Sequence, residues 1–356
     1  MRPGPTNSLV DVAGLAVGHR TRDEPGWLTG TTVVRLPDGG GVAGVDVRGA
    51  APGTRETDLL DPRNLVDRVH ALALSGGSAL GLAAADGVAE ELLRQGVGWP
   101  MGAPDEVVPI VPAAIVFDLG RGGVWRHHPV AEDGRAALLA CTTEAVAQGC
   151  VGAGTGAKAG SLKGGIGSAS VVLESGATVA ALVVCNAAGD AVDPRTGRLW
   201  GAAQLLDEER AGLADAGLAD GGLLDGGLLD GGLLDGGSDG EPAQPHRPGM
   251  ATTIGVVATD VALTKAQAQK MAGIAHDGLA RALKPVHTMV DGDTLFAVST
   301  GARPTPELPD LVAVLEAGAD CVTRAIVHAM LAATSVDRSA DGGAVYPSYR
   351  EARREA

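Results

Sequence analysis

Short apolar runs broken by Gly, Asp and Pro alternate along the chain with longer stretches of helical period. Residues 9–18, 31–36 and 41–48 read as strands, and residues 63–73 as a short helix. Ala71 to Ser75 lead into Gly76-Gly77-Ser78, after which an Ala/Leu-rich helix runs to about Gly96. Residues 107–119 form an apolar run with Pro109 and Pro112 at its margins, and residues 132–148 follow a helical period. Gly152–Gly156 makes a loop, followed by strands near 166–174 and 177–186. Thr252–Asp260, with Ile254, Val256 and Val257, reads as a buried strand. Thr264 and Gln267 form a capping box that opens a helix to about Leu283. Residues 291–300 turn into a strand, 307–334 form a last helix, and the tail from Asp337 looks loose.

Between these halves the pentapeptide AGLAD occurs twice and GGLLD three times, starting at Ala211. A period of five fits neither helix nor strand, and paired glycines raise the entropy cost of ordering the segment. Residues 208–249 therefore read as a disordered acidic tether. Strands and helices are mixed on both sides of it, which predicts one layered α/β domain, 1–356, interrupted by the tether.

Composition narrows this picture. Hydrophobic residues make up 45% of the chain but aromatics only 2%, so the core must be aliphatic and packed closely through some of the 54 glycines. The net charge of −15 disfavours nucleic acid and anionic membranes as partners. Much of that charge is local, because residues 207–241 hold ten acids against Arg210 alone. The four cysteines have no CxxC spacing and suit buried thiols in a reducing cytoplasm. No apolar run approaches the roughly 18 residues of a membrane span, and the first residues lack the apolar segment of a signal peptide.

Candidate chemistry is sparse. Gly152-Ala153-Gly154-Thr155-Gly156 has a dinucleotide-like pattern, but Lys158–Gly167 contains four glycines and cannot supply the required helix, so no cofactor is expected. The eight histidines show no paired helical spacing, so no metal is expected. Ser78 sits between strand and helix like a nucleophile elbow, yet Leu80 stands where that motif requires glycine. Asp291 and Asp293, at i and i+2, face one way if extended and could hold the proton network of a hydroxyl, or could simply begin a strand at a turn. Asn186 ends an apolar strand, where its amide could donate to an oxyanion or terminate a turn. Thr252 at the head of a buried strand, behind a flexible leader, fits two readings. One is a linker meeting a β-former. In the other, the Thr252 hydroxyl attacks the Ala251 carbonyl, and the freed α-amine (pKa ~8) then serves as its base.

Several stretches together resemble the DmpA-like aminopeptidase/amidase family, in the superfamily that also holds ornithine acetyltransferases and nylon-oligomer hydrolases. They are DVAGLAVGH at 11–19, VDVRGAAPGTRETD at 45–58, LSGGSALGL at 74–82, VGAGTGA at 151–157, KGGIGSAS at 163–170, VCNAAGD at 184–190, TTIGVVATD at 252–260 and DGDTLFAV at 291–298. The resemblance implies a four-layer α/β/β/α sandwich and an autoprocessed N-terminal-nucleophile hydrolase, with an α chain of 1–251 and a β chain of 252–356. It implies cleavage between Ala251 and Thr252, Thr252 as nucleophile and Asn186 at the oxyanion. Asp291 and Asp293 match the carboxylate pair of the nylon-hydrolase branch, where the aminopeptidases have Ser and Glu. That branch has Asn before its Thr, where Ala251 stands here. A family lysine falls by count on Ser161, with Lys163 two residues on as the candidate. The implied activity is hydrolysis of amide bonds in small peptides or oligoamides by a cytoplasmic homo-oligomer, commonly a tetramer of processed units. The alternatives are an acyltransferase of the ornithine acetyltransferase type and an uncleaved binding protein.

Overall fold

The computed structural model of the chain describes residues 1–103, 105–215 and 251–353. Two sheets stack face to face. A six-stranded sheet runs in the order Gly165–Val172, Thr178–Cys185, Ile254–Val261, Thr294–Arg303, Gly41–Val47, Arg68–Val69. A five-stranded sheet runs Ala16–Arg22, Thr29–Arg35, Ala71–Ser75, Ala113–Ile115, Thr54–Arg55. Within the first sheet, Ile254–Val261 and Thr294–Arg303 are parallel, and the helix Lys265–Ala282 lies between them in sequence. A parallel pair needs such a crossover, whereas antiparallel neighbours do not.

The period-2 alternation of side chains sorts the core into three layers. Val34, Leu72, Leu74 and Ala114 of the second sheet meet Ile166, Leu182, Val256 and Phe296 of the first, filling the space between the sheets. Their chain neighbours point outward. Val183, Val257, Leu295 and Ala297 pack with Met271, Leu279, Val322 and Ile326 of helices Lys265–Ala282 and Leu308–Ala332. Val33, Ala71, Ala73 and Ala113 pack with Val88, Leu92 and Leu138 of helices Ala84–Arg94 and Ala131–Leu139. The result is the expected α/β/β/α order of layers. With so few aromatics, separation is kept small by glycine: a Cβ on Gly167 would lie 1.8 Å from the Ala325 carbonyl of the long helix.

Several local expectations fail for identifiable reasons. Residues 63–73 are not helical. Ala71–Ser75 is a central strand, with Ala71 and Ala73 facing the helices and Leu72 and Leu74 facing the other sheet. An apolar run buried on both faces carries no period that separates helix from strand. The 132–148 helix stops at Leu139, and the following backbone pairs with the first strand, Val17 N–H to Thr142 O at 3.0 Å and Thr142 N–H to Val17 O at 3.1 Å. The stretch after Ser78 opens as a 3₁₀ turn, Ser78–Ala83, before the α-helix begins at Ala84. The tail is docked: Tyr349 is buried, and its hydroxyl donates to Gly197 O at 3.0 Å.

The expected tether start at 208 is also corrected. Asp207–Asp215 is a helix, and Glu209 on it accepts from the fully buried Arg324 (Nη2, 2.7 Å), from Asn7 Nδ2 (2.8 Å) and from His328 (Nε2, 2.9 Å). The repeats from Ala216 to Asp235 and the rest of the tether lie outside the described residues.

Candidate active site

The register of the first sheet fixes where Thr252 must lie. Val184 pairs antiparallel with Ile254, and Ile254 pairs in parallel with Thr294. Carried two residues past the strand end, this places Thr252 between Asn186 on one side and Gly292 on the other. The hydrogen bonds agree. Thr252 N–H donates to Asn186 O at 2.6 Å, Ala251 N–H to Val290 O at 3.2 Å, and Gly292 N–H to Ala251 O at 3.2 Å. Ala251 and Asp291 form a parallel bridge. The Thr252 hydroxyl donates to the same Ala251 carbonyl oxygen, at 2.6 Å. Thr252 is 3% exposed and Ala251 is 1% exposed, so bulk water does not compete for these contacts.

The two aspartates flank this position. Asp293 Oδ1 accepts from Thr253 N–H at 2.8 Å, while its Oδ2 accepts from the backbone N–H (3.0 Å) and ring Nδ1 (2.8 Å) of His287. Asp291 Oδ1 accepts from Ala188 N–H at 3.2 Å, and its Oδ2 from the backbone N–H and hydroxyl of Thr288. The pair thus ties the start of the Ile254–Val261 strand, the segment after Asn186 and the 287–288 turn into one frame. Neither carboxylate bonds the Thr252 hydroxyl in this arrangement.

Gly292, between them, was not singled out from the sequence. A Cβ there would stand 2.9 Å from Thr252 Oγ1 and 2.6 Å from Ala51 O, so the glycine leaves the space that the hydroxyl occupies. The spacing D-G-D did carry that signal, because a strand with both flanking side chains engaged leaves only the middle position to yield to a neighbour.

Asn186 meets Thr252 through its main-chain carbonyl. Its side-chain Oδ1 accepts from Arg121 Nη1 at 2.6 Å and from Lys158 N–H at 3.1 Å, and its Nδ2 points to Phe117 O at 3.4 Å. Lys163 is fully buried on a short hairpin, where its ammonium donates to Gly154 O (3.0 Å) and Gly164 O (2.8 Å) rather than to Thr252. Burial, with Arg121 nearby, pulls the Lys163 ammonium down to about 8, against the attraction of Cys150. Ser161, the other position considered for the family lysine, has a buried hydroxyl without a partner among the described residues. Asp118, next to Phe117, is buried with its Oδ1 accepting from Gly77 N–H at 2.7 Å. Burial pushes its carboxyl up to about 6, against the opposing effects of the Thr29 hydroxyl and that N–H. Ser78 adopts φ +52°, which non-glycine residues seldom do, with its N–H bound to Val116 O at 3.0 Å. That bond ties it to the second sheet and not to the Thr252 frame.

A buried hydroxyl and an N–H donor converging on one peptide carbonyl, held by paired carboxylates, is an arrangement suited to acyl transfer. The sequence matches the family "Peptidase family S58" over residues 7–342. The chain belongs to that family. It is 46% identical to an uncharacterized aminopeptidase of Mycobacterium bovis, over 97% of both chains. A 6-aminohexanoate-oligomer endohydrolase of Kocuria sp. is 29% identical, matching 84% of this chain and 76% of that protein. Among solved structures, a Burkholderia sp. β-aminopeptidase superposes with a TM-score of 0.72 at 24% identity, covering 99% of this chain and 95% of its own. The L-aminopeptidase D-Ala-esterase/amidase of Ochrobactrum anthropi, a variant of the Ntn hydrolase fold, gives 0.70 at 20% identity, covering 99% and 94%. The S58 chain is therefore a hydrolase of peptide or amide bonds with an Ntn-type α/β fold. Among the described residues no helix is long and apolar enough to cross a membrane.

Proposed function

We propose that Thr252 severs the chain between Ala251 and itself, and then acts as the nucleophile of an aminopeptidase or oligoamide hydrolase. The observation that carries this reading is the convergence of the Thr252 hydroxyl (2.6 Å) and the Gly292 N–H (3.2 Å) on the Ala251 carbonyl oxygen. In the first step, Oγ1 bonds to the carbonyl carbon and the π pair moves onto oxygen, facing the Gly292 N–H. The C–N bond then breaks, the nitrogen gains a proton, and the hydroxyl proton is lost. The resulting ester is hydrolysed by water, leaving Thr252 as a new N-terminus.

In turnover, the neutral α-amine takes the Thr252 hydroxyl proton as Oγ1 attacks a substrate amide, and returns it to the leaving amine. Water then releases the acyl group. Asn186 O, which accepts from Thr252 N–H at 2.6 Å, holds one hydrogen of that amine on this reading. Asp291 and Asp293 act here as positioning groups, fixing residues 251–253 and the 287–288 turn. Lys163, lowered to about 8 mainly by burial, holds the Gly154 and Gly164 carbonyls of the segment before the Gly165–Val172 strand and supplies positive potential there.

The acyl subsite is the place Ala251 fills before cleavage, which suits small peptides and linear oligoamides, in keeping with relatives named as an aminopeptidase and an oligomer endohydrolase. The unpaired state of all four cysteines supports a cytoplasmic setting, and assembly of processed units into a homo-oligomer belongs to the same proposal. The test is an intact mass and N-terminal sequence of the purified protein beside Thr252→Ala. Two chains, the smaller beginning Thr-Thr-Ile, are expected from the wild type, and one uncut chain without activity from the variant. An uncut wild-type chain that hydrolyses L-alanine p-nitroanilide would overturn the reading. Transfer of the acyl group to an added amine in preference to water would indicate the acyltransferase instead.

A further inference from the structure

Arg121 lies in the turn that follows Asp118 and is 7% exposed. Its Nη1 donates to Gly156 O and to Asn186 Oδ1, both at 2.6 Å, and its guanidinium stands 5.9 Å over the Tyr346 ring. Among the described residues it has no carboxylate in ion-pair contact, whereas the fully buried Arg324 is paired with Glu209 at 2.7 Å. A buried guanidinium whose direct bonds go to neutral oxygens is costly to fold, because its charge is met through space, by the buried Asp118 carboxyl whose pKa it lowers against the stronger effect of burial. Its field extends into the site: together with burial, the stronger cause, it lowers the pKa of both Lys158 and Lys163.

The bond to Asn186 shows what this charge acts on. Arg121 and the Lys158 N–H occupy both acceptor positions of Oδ1, so the amide has one orientation, with Nδ2 on the opposite side. There its partner is Phe117 O at 3.4 Å, a long contact that costs little to exchange for a better acceptor. A cation on the amide oxygen also draws electron density from the nitrogen and strengthens its N–H as a donor.

We infer that Arg121 is a positioning residue of the oxyanion site: it locks and polarises Asn186 so that Nδ2 faces the oxygen that becomes charged when Thr252 attacks a substrate amide. The inference rests on the proposed role of Thr252 as nucleophile and on the oxyanion role that the family resemblance implies for Asn186. The step itself needs no further reagent. Oγ1 bonds to the substrate carbon, the π pair moves to an oxygen that the Gly292 N–H already faces and that Nδ2 joins as second donor, and the hydroxyl proton passes to the Thr252 α-amine.

The test is a four-way cycle on the full chain: wild type, Arg121→Gln, Asn186→Ala and the double variant. Each is assayed with L-alanine p-nitroanilide, with rates normalised to the cleaved fraction on a gel. Arg121→Gln should lower kcat about ten- to a hundredfold, as expected for a bond to a charged group, with KM within about twofold. Asn186→Ala should fall at least as far, and the double variant no further, because one residue acts through the other. Arg121→Lys, which keeps the charge, should recover part of the loss. It also replaces Arg121→Gln in the cycle if that variant shows no melting transition. Where cleavage itself stalls, its rate constant is compared across the same four proteins.

Two results overturn the inference while leaving Asn186 in place: an unchanged kcat in Arg121→Gln when Asn186→Ala is impaired, or losses that add in the double variant. Full activity in Asn186→Ala would instead overturn the reading on which the inference rests.

Discussion

The sharpest test of the site's geometry is Gly292→Ala. The new Cβ would stand 2.9 Å from Thr252 Oγ1, 2.6 Å from Ala51 O and 3.0 Å from Pro52 Cα, against an ordinary contact of 3.4 Å or more. Relieving these contacts requires the hydroxyl to move by about 0.5 Å or the 51–52 backbone to move further. Displacing a reacting group by ~1 Å costs about a hundredfold in rate, and overpacking of this kind costs roughly 1–3 kcal/mol of stability. Self-cleavage should therefore slow by about ten- to a hundredfold while the protein still melts cooperatively. The assay is a time course of full-length chain converting to two bands, with thermal melting in parallel. Gly39→Ala is the control, because a Cβ there meets nothing within 4 Å. Wild-type cleavage kinetics in folded Gly292→Ala would refute the placement of the hydroxyl against Gly292.

Two further substitutions probe the frame around the site. Glu209→Gln leaves Arg324 and His328 facing an uncharged amide, and breaking a buried pair costs about 3–5 kcal/mol, to be read from urea unfolding at pH 7. Burial alone would raise this carboxyl, but the bonds from His328 and Arg324 outweigh it and hold it below the ordinary range. Its contribution is thus present above the unfolded value of ~4.3 and lost as pH falls further, so the gap between wild type and variant should close in acid. Asp118→Asn has the opposite sign. Its carboxyl, raised to about 6, binds its proton more tightly folded than unfolded, so wild-type stability falls as pH rises from about 4 to about 6. The variant should match wild type near pH 4 and exceed it by up to roughly 3 kcal/mol above pH 6, measured by melting across that range. A constant difference would place the cause elsewhere.

What the sequence disclosed was mostly chain-local. The Ile254–Val261 strand follows from its β-branched run, and the helix from Lys265 follows from its cap, where Thr264 Oγ1 accepts from Gln267 N–H at 3.2 Å. The aspartates at i and i+2 were legible as a pair, but their separate partners, Thr253 and Ala188, were not, because those partners come from segments distant in sequence. Arg121 carried no signal at all: its bond to Asn186 spans 65 residues, and an arginine among glycines reads as a solvated turn. Composition misled at Glu209, because averaging over an acidic window hides the one acid that a buried arginine requires. In each case the missing information was a register between distant segments, which periodicity does not encode.

On the proposed reading, that register also explains why one site can serve both the chain's own peptide bond and a substrate's. Before cleavage Ala251 occupies a complete strand position, giving its N–H to Val290 O and taking the Gly292 N–H on its carbonyl, both at 3.2 Å. These are backbone contacts and do not depend on the side chain at position 251. With Ala251 only 1% exposed, no second acyl group fits while it remains. Removing it frees one carbonyl and one N–H in a dry setting, where unmet hydrogen bonds are costly, and so creates a demand for an extended ligand offering the reverse pair. An amino acid amide does so, with its amine toward Val290 and its carbonyl toward Gly292 and Thr252. An amide without the amine, such as propionyl p-nitroanilide, meets only half of that demand, and should be cleaved with kcat/KM reduced about tenfold or more relative to the alanine compound. Equal rates for the two would show that the vacated strand position is not where the acyl group binds.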